Sequence, residues 1–291
     1  MKVCVVGATG VLGRALVPMI LQQGHSVRAL ARFRKATKDF FPPDADCRFF
    51  DLLSPSAGDD LVPLLEGCDA VVHAATQIPS DFTAPGAWDA NNRLRIEGTP
   101  QLVQASLAAG VSIYIQQSIE MAYLDLGDRW IDENTPFDTS PARSRSSAAV
   151  VAMENAVKQI PPDSMRWCIL RGGAFVGKGT FQDDAINRLL RGTDVVAGNG
   201  QNFISPIHVT DMASAIVASL ERGSQGSIFN INATPLRAGE YADALAAALG
   251  VAKPKRDTTQ PNPPSYRCSN ELARNSLGWL PIENIIPESL R

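Results

Sequence analysis

The chain has 291 residues, 45% of them hydrophobic, with 27 basic against 30 acidic side chains and a formal net charge of −3. A chain of this size buries a sizeable core, either as one large α/β domain or as a domain with a small lobe. Its scattered, slightly acidic charge excludes nucleic acid and anionic membrane surfaces as expected partners. Five cysteines without C-x-x-C spacing fit a reducing compartment better than a disulfide or metal framework. The opening run MKVCVVGATG is broken by glycine too soon for a signal peptide or a membrane span, so the expected location is cytoplasmic.

In chain order, the apolar runs are KVCVV, the amphipathic VLGRALVPMILQQG, SVRALAR, CRFFDL, DAVVHAA, a long polar-to-helical stretch and SIYIQQS. Strands alternating with helical patterns predict right-handed βαβ crossovers and a parallel sheet. After WCILRGG the pattern loosens into a helix near 181–191, a turn at AGNGQN, a strand at FISPI, a helix opening at Thr210, a strand at SIFNI and a helix over about 238–249. The proline-rich stretch 253–264 predicts an extended surface connection, followed by a last short helix around 269–277. The expected fold class is α/β: a Rossmann-type doubly wound parallel sheet over residues 1–172, with a smaller C-terminal substrate lobe over 173–291 interleaved with the last strands.

The first strand runs directly into Gly7-Ala8-Thr9-Gly10-Val11-Leu12-Gly13, a G-x-x-G-x-x-G turn at a strand-to-helix junction. Glycine suits such a turn because the backbone angles are unusual, a diphosphate must approach the main chain, and the helix must sit close to the strand. The helix start then offers unpaired N–H groups and a positive dipole end to an anion. Gly7, Thr9, Gly10, Val11, Leu12 and Gly13 are therefore the expected phosphate-binding residues. The second strand ends in Leu30-Ala31-Arg32, with Arg34 and Lys35 just beyond. A guanidinium here suits the 2′-phosphate of NADP, NAD being the alternative cofactor; a solvated strand-end charge is the competing reading of Arg32.

These residues resemble the extended branch of the short-chain dehydrogenase/reductase superfamily, the NAD-dependent epimerase/dehydratase group. GATGVLG is similar to its glycine turn, Gly24-His25-Ser26-Val27 to its G-H-x-V, Asp51-Leu52 to its adenine-contacting D-L, and His73-Ala74-Ala75 to the end of its fourth strand. Glu97-Gly98-Thr99, Ala109-Gly110-Val111, Ser118, Arg171-Gly172, Ile207-His208-Val209-Thr210-Asp211 and Leu277-Gly278-Trp279-Leu280-Pro281 resemble its later landmarks in order and spacing. The resemblance implies a nicotinamide dinucleotide on the Rossmann domain, with Asp51, Leu52, Ala74 and Ala75 at the cofactor and the lobe residues from about 175 to 210 shaping a pocket for a small-molecule substrate. His25, His73 and His208 fall on landmark positions and are expected to be structural, and Asp211 is expected to cap a helix.

The family carries a tyrosine four residues before a lysine on the helix after the fifth strand. Anchoring on Glu154 puts Ser146 in the tyrosine position and Val150 in the lysine position, and the stretch from Asp132 to Val157 contains neither tyrosine nor lysine. A supporting asparagine before G-T is replaced by Arg95, with Asn91 and Asn92 one turn earlier. Ser118 and Tyr123 are the candidate catalytic residues, Glu120 reads as a carboxylate base or a solvated loop acid, and Arg143 and Arg145 as an anion clamp or exposed charges. The expected function is an atypical NADP-dependent oxidoreductase or epimerase-like enzyme, with a homodimer as a candidate assembly. The alternatives are a catalytically degenerate NADP(H)-binding sensor or regulatory protein and, less favoured, a non-redox lyase, cyclase or isomerase.

Overall fold

The computed structural model describes residues 1–32, 40–41, 45–54, 57–79, 81, 84–141 and 143–288, with the side chains of 57–59 and 144–146 outside that description. Arg34, Lys35 and the side chains of Arg145 and Ser146, singled out above, therefore lie outside it. The described elements are β1 (Lys2–Val6), α1 (Val11–Gln22), β2 (Ser26–Ala31), β3 (Asp46–Phe49), α2 (Ala57–Leu65), β4 (Ala70–His73), α3 (Asp89–Arg93), a π-helical turn (Leu94–Gly98), α4 (Thr99–Ala108), β5 (Ile113–Ile119), α5 (Ser144–Lys158) and β6 (Arg166–Gly172). They continue with β7 (Ala174–Val176), α6 (Phe181–Leu190), β8 (Val195–Ala197), β9 (Phe203–Ile204), β10 (Pro206–His208), α7 (Val209–Arg222), β11 (Ser227–Ile231), β12 (Leu236–Arg237), α8 (Ala238–Leu249), β13 (Lys255–Asp257) and α9 (Glu271–Leu277).

The chain divides into two compact units. The first comprises Met1–Ser118, Phe137–Leu170 and Ala213–Phe229; the second comprises Ile119–Pro136, Arg171–Met212 and Asn230–Arg291. A seven-stranded sheet runs in the order β11-β6-β5-β4-β1-β2-β3, with parallel ladders from β3 through β5. This is the doubly wound order, whose direction of winding reverses between β1 and β4. The strands read as continuous apolar runs because helices cover both faces: Val3, Cys4, Val5 and Val6 of β1 and Ala70, Val71 and Val72 of β4 are all buried. Around them Leu61, Leu65, Leu102, Tyr114, Val157 and Ile169 form the first unit's core.

In the second unit the apolar stretch FISPI, expected as one strand, forms two. Phe203 and Ile204 pair antiparallel with β12, whereas Pro206–His208 pairs parallel with β7. The change of partner at Ser205 splits the run. The stretch expected to be an extended connection holds β13, which pairs parallel with β8. Leu189, Leu245 and Ala246 hold α6 against α8. Among the described residues no helix is long and apolar enough to cross a membrane.

Candidate active site

The glycine turn follows β1 and faces the end of β4, at the point where the strand order reverses. Gly7 has φ of 89°, a left-handed conformation costly to any other residue, and a Cβ on it would stand 2.6 Å from the Cα and N of Ala75. A Cβ on Gly13 would stand 2.4 Å from the carbonyl oxygens of Gly7 and Ala8, so only glycine lets α1 seat on the turn. Gly7 N and Ala8 N donate to the Leu30 carbonyl at 3.1 and 3.2 Å, tying the turn to β2. Gly10 is the N-cap of α1 and supplies no side-chain cap, and the first N–H groups of a helix have no partner within it. The close backbone packing and the uncapped helix start fit a dinucleotide's diphosphate.

Arg32 follows β2 and donates from Nη1 to Gln77 Oε1 at 2.9 Å. Asp51 is exposed after β3, its Oδ1 accepting from Leu53 N at 3.0 Å, while Leu52 is buried in the first unit's core. Ala74 N donates to Val6 O at 2.9 Å and carries β4 into the Ala74-Ala75 pair beside the turn. His73 is buried with Nδ1 3.0 Å from Gln116 Oε1. Burial pushes its pKa down to about 4, so the imidazole is neutral and holds β4 to β5.

Ser118 is buried near the end of β5, and its Oγ donates to Glu154 Oε1 at 2.8 Å. Glu154 is itself buried on α5 and accepts from Lys158 Nζ at 3.2 Å. The grip of Glu154 on Ser118 depends on how α5 packs and has no local signature in the sequence. Val150, expected in the lysine position, is fully buried on α5.

Tyr123 belongs to the second unit and is also fully buried. Its hydroxyl donates to Asn230 Oδ1 at 2.8 Å and accepts from Arg171 Nη1 at 2.6 Å, and the guanidinium stands 5.0 Å from the ring centroid. Burial raises the Tyr123 pKa above the ordinary tyrosine range against the opposing pull of Arg171. Arg171 donates also to the Glu133 carbonyl at 3.0 Å, while Glu133 Oε1 accepts from Asn230 N at 2.8 Å. Glu120 is fully enclosed rather than solvated, and burial pushes its carboxyl well above the usual range, with the Cys268 thiol, Glu133 and Arg171 as its polar surroundings.

Asp211, expected as a helix cap, turns to the C-terminal segment: its carboxylate accepts from Ile282 N at 3.1 Å and Glu283 N at 3.0 Å. His208 Nδ1 accepts from Thr210 N at 3.3 Å. An open cavity of about 490 Å³ within the second unit draws Lys178, Gln182, Asp183 and His208 from the stretch expected to shape a substrate pocket.

The sheet order, the glycine turn at its switch point and the uncapped helix define a Rossmann-type dinucleotide-site architecture. The chain belongs to the NAD-dependent epimerase/dehydratase family, whose model matches residues 3–232. It is 29% identical over 298 residues to a 3-diazoavenalumate denitrifying reductase of a Streptomyces species, covering 97% of this chain and 96% of the relative. Among solved structures, the human epimerase family protein SDR39U1 with NADPH is similar at a TM-score of 0.76 and 21% identity, over 97% of this chain and 95% of that one. The UDP-glucose 4-epimerase of Thermotoga maritima with UDP-glucose reaches a TM-score of 0.82 at 18% identity, over 100% of this chain and 96% of that one. At these identities the two structures speak for the fold.

Proposed function

We propose that the protein is an NADPH-dependent reductase whose acceptor is a carbon bearing a diazonium group. The Gly7–Gly13 turn would hold the diphosphate and Arg32 the 2′-phosphate, because a guanidinium forks onto phosphate oxygens. The supporting observation is the engagement of both candidate hydroxyls: Ser118 donates to Glu154 and the Tyr123 hydroxyl donates to Asn230. A carbonyl acceptor takes a proton as well as a hydride, and by the family resemblance the tyrosine and lysine positions would fall on Ser146 and Val150. When bound, the reduced nicotinamide supplies a hydride, and its transfer to an arenediazonium carbon breaks the C–N bond, releases dinitrogen and requires no proton. Because that balance needs no proton donor, it suits a chain whose two candidate hydroxyls are already engaged, and the Streptomyces relative is by its name a denitrifying reductase of a diazo compound. Ser118 and Tyr123 then position β5 and Arg171. The free thiols of all five cysteines support a cytoplasmic site.

The test is incubation with NADPH deuterated at the transferred position and 4-carboxybenzenediazonium. The expected products are dinitrogen and benzoate deuterated at C4, in step with NADPH oxidation and above a protein-free control. Ser118→Ala and Tyr123→Phe are expected to retain the rate of their remaining folded fraction. Reduction of a ketone or aldehyde panel with none of the diazonium would sink the reading. NADPH binding without turnover of either would return the sensor alternative.

A further inference from the structure

Arg95 is a buried cation that no described side chain balances. It lies in the π-helical turn between α3 and α4 with 8% of its surface open. Burial pushes its pKa down to about 10 with no carboxylate opposing the shift, so it stays charged at neutral pH. Glu97, two residues on, is taken by Arg93, whose Nη2 stands 2.9 Å from Glu97 Oε2 on the exposed face. Among the described residues no hydrogen bond, ion pair or ring contact engages the Arg95 guanidinium. An uncompensated buried charge costs several kcal/mol, and π-helical turns within helices recur at functional sites.

A second unmet donor lies one turn back on the same helix. Asn91 is 1% exposed, and its Oδ1 accepts from Gln77 N at 3.0 Å. That bond fixes which end of the amide is which, and the remaining Nδ2 is buried without a partner. Residues four apart are close on a helix surface, so the Arg95 guanidinium and the Asn91 amide N–H₂ are two open donors carried on one short stretch, neither with an acceptor among the described residues. Both belong to a stretch that packs against α5 within the first unit.

We propose that Arg95 and Asn91 form a carboxylate-binding site and that the carboxylate is on the substrate. This rests on the reaction proposed above, since the relative's substrate is by its name a carboxylate anion. The guanidinium takes the two carboxylate oxygens side by side and the Asn91 amide adds a third donor. The dinucleotide's phosphates already have the glycine turn and Arg32, on other elements of the unit. The substrate class is therefore an aromatic diazonium carrying a carboxylate, with Arg95 setting its orientation.

The experiment uses 4-hydroxycinnamate as an unreactive probe, with 4-vinylphenol as the analogue lacking the carboxylate, titrated into the NADPH-loaded protein. Arg95→Gln is expected to weaken 4-hydroxycinnamate binding roughly 10- to 100-fold, the range for one charge-assisted hydrogen-bond pair. Arg95→Lys should recover part of the loss, and both variants should leave 4-vinylphenol and NADPH affinities unchanged. The melting temperature of Arg95→Gln without ligand should rise, since a buried unpaired charge has gone. Unchanged 4-hydroxycinnamate affinity, equal losses for the two probes, or no measurable binding by the unaltered protein would overturn the site. A loss confined to NADPH would assign the cation to a cofactor phosphate and overturn the substrate assignment. Arg95-dependent binding of the probe without diazonium reduction would uphold this site while the proposed reaction fails.

Discussion

Arg95 and Arg171 are both buried arginines, 8% and 4% exposed, and they differ in what meets the guanidinium. Arg171, in the second unit, donates to the Tyr123 hydroxyl and the Glu133 carbonyl, lies over the Tyr123 ring, and shares its surroundings with Glu120 and Glu133. Arg95, in the first, has spent none of its donors on the described protein groups. A buried charge whose partners are built into the fold contributes to structure, whereas one left open raises the energy of the empty protein and is repaid when an anion arrives. The same contrast separates the uncapped start of α1 from the Ser118 hydroxyl, which Glu154 already holds.

The strongest way to break this comparison is to remove the compensated arginine. Arg171→Met takes a donor from the Tyr123 hydroxyl and the Glu133 carbonyl and removes the cation beside buried Glu120 and half-buried Glu133. It is expected to cost about 3–5 kcal/mol in denaturant unfolding, opposite in sign to Arg95→Gln; stabilisation by both substitutions would erase the distinction.

Tyr123→Phe probes the same cluster more gently. It keeps the ring beneath Arg171 and removes the hydroxyl, so Asn230 Oδ1 loses a donor and Arg171 an acceptor. The expected loss is about 1–3 kcal/mol of unfolding free energy, with NADPH affinity unchanged. A large fall in kcat at unchanged stability would return Tyr123 to the chemistry.

Glu120→Gln sharpens the comparison through pH. Burial raises the Glu120 pKa well above its usual 4.5, so the folded state keeps a proton that the unfolded state releases. With more protons bound in the folded state, stability falls as pH rises past 4.5, at no more than about 1.4 kcal/mol per pH unit from this group. Below that pH the acid is neutral in both states and the contribution vanishes. Glu120→Gln should thus unfold with a flatter pH dependence between pH 5 and pH 8, gaining relative to the parent protein toward the alkaline end. Parallel curves for the two proteins would show that Glu120 ionises in the fold.

Much of the first unit was legible because its signals are local. The glycine spacing at 7, 10 and 13 states where a helix must sit close to a strand, and the apolar runs of β1 and β4 state that both faces of the sheet are covered. The helices over Phe181–Leu190 and Ala238–Leu249 matched their patterns for the same reason. The break at Ser205 was not legible, because which strand accepts Phe203 and which accepts Pro206 is a choice between distant segments. Asp211 reads as a cap from its place at a helix start; only the return of the C-terminal segment brings the N–H groups of Ile282 and Glu283 to its carboxylate.

The candidate site shows the same limit at finer grain. From residue types, Ser118, Tyr123, Glu120 and Arg95 are an unranked set of polar groups near the ends of apolar runs. Periodicity, glycine turns and strand order follow from backbone geometry and the spacing of apolar side chains, which the linear chain carries in full. Whether a polar group is spent or open depends on partners tens of residues away: Glu154 for Ser118, Asn230 and Arg171 for Tyr123, and none among the described residues for Arg95. The sequence by itself determined the sheet, the turn and the family pattern. The tertiary structure alone decided which hydroxyls were closed and which donors stayed open, because the cost of burying a polar group is set by what packs against it.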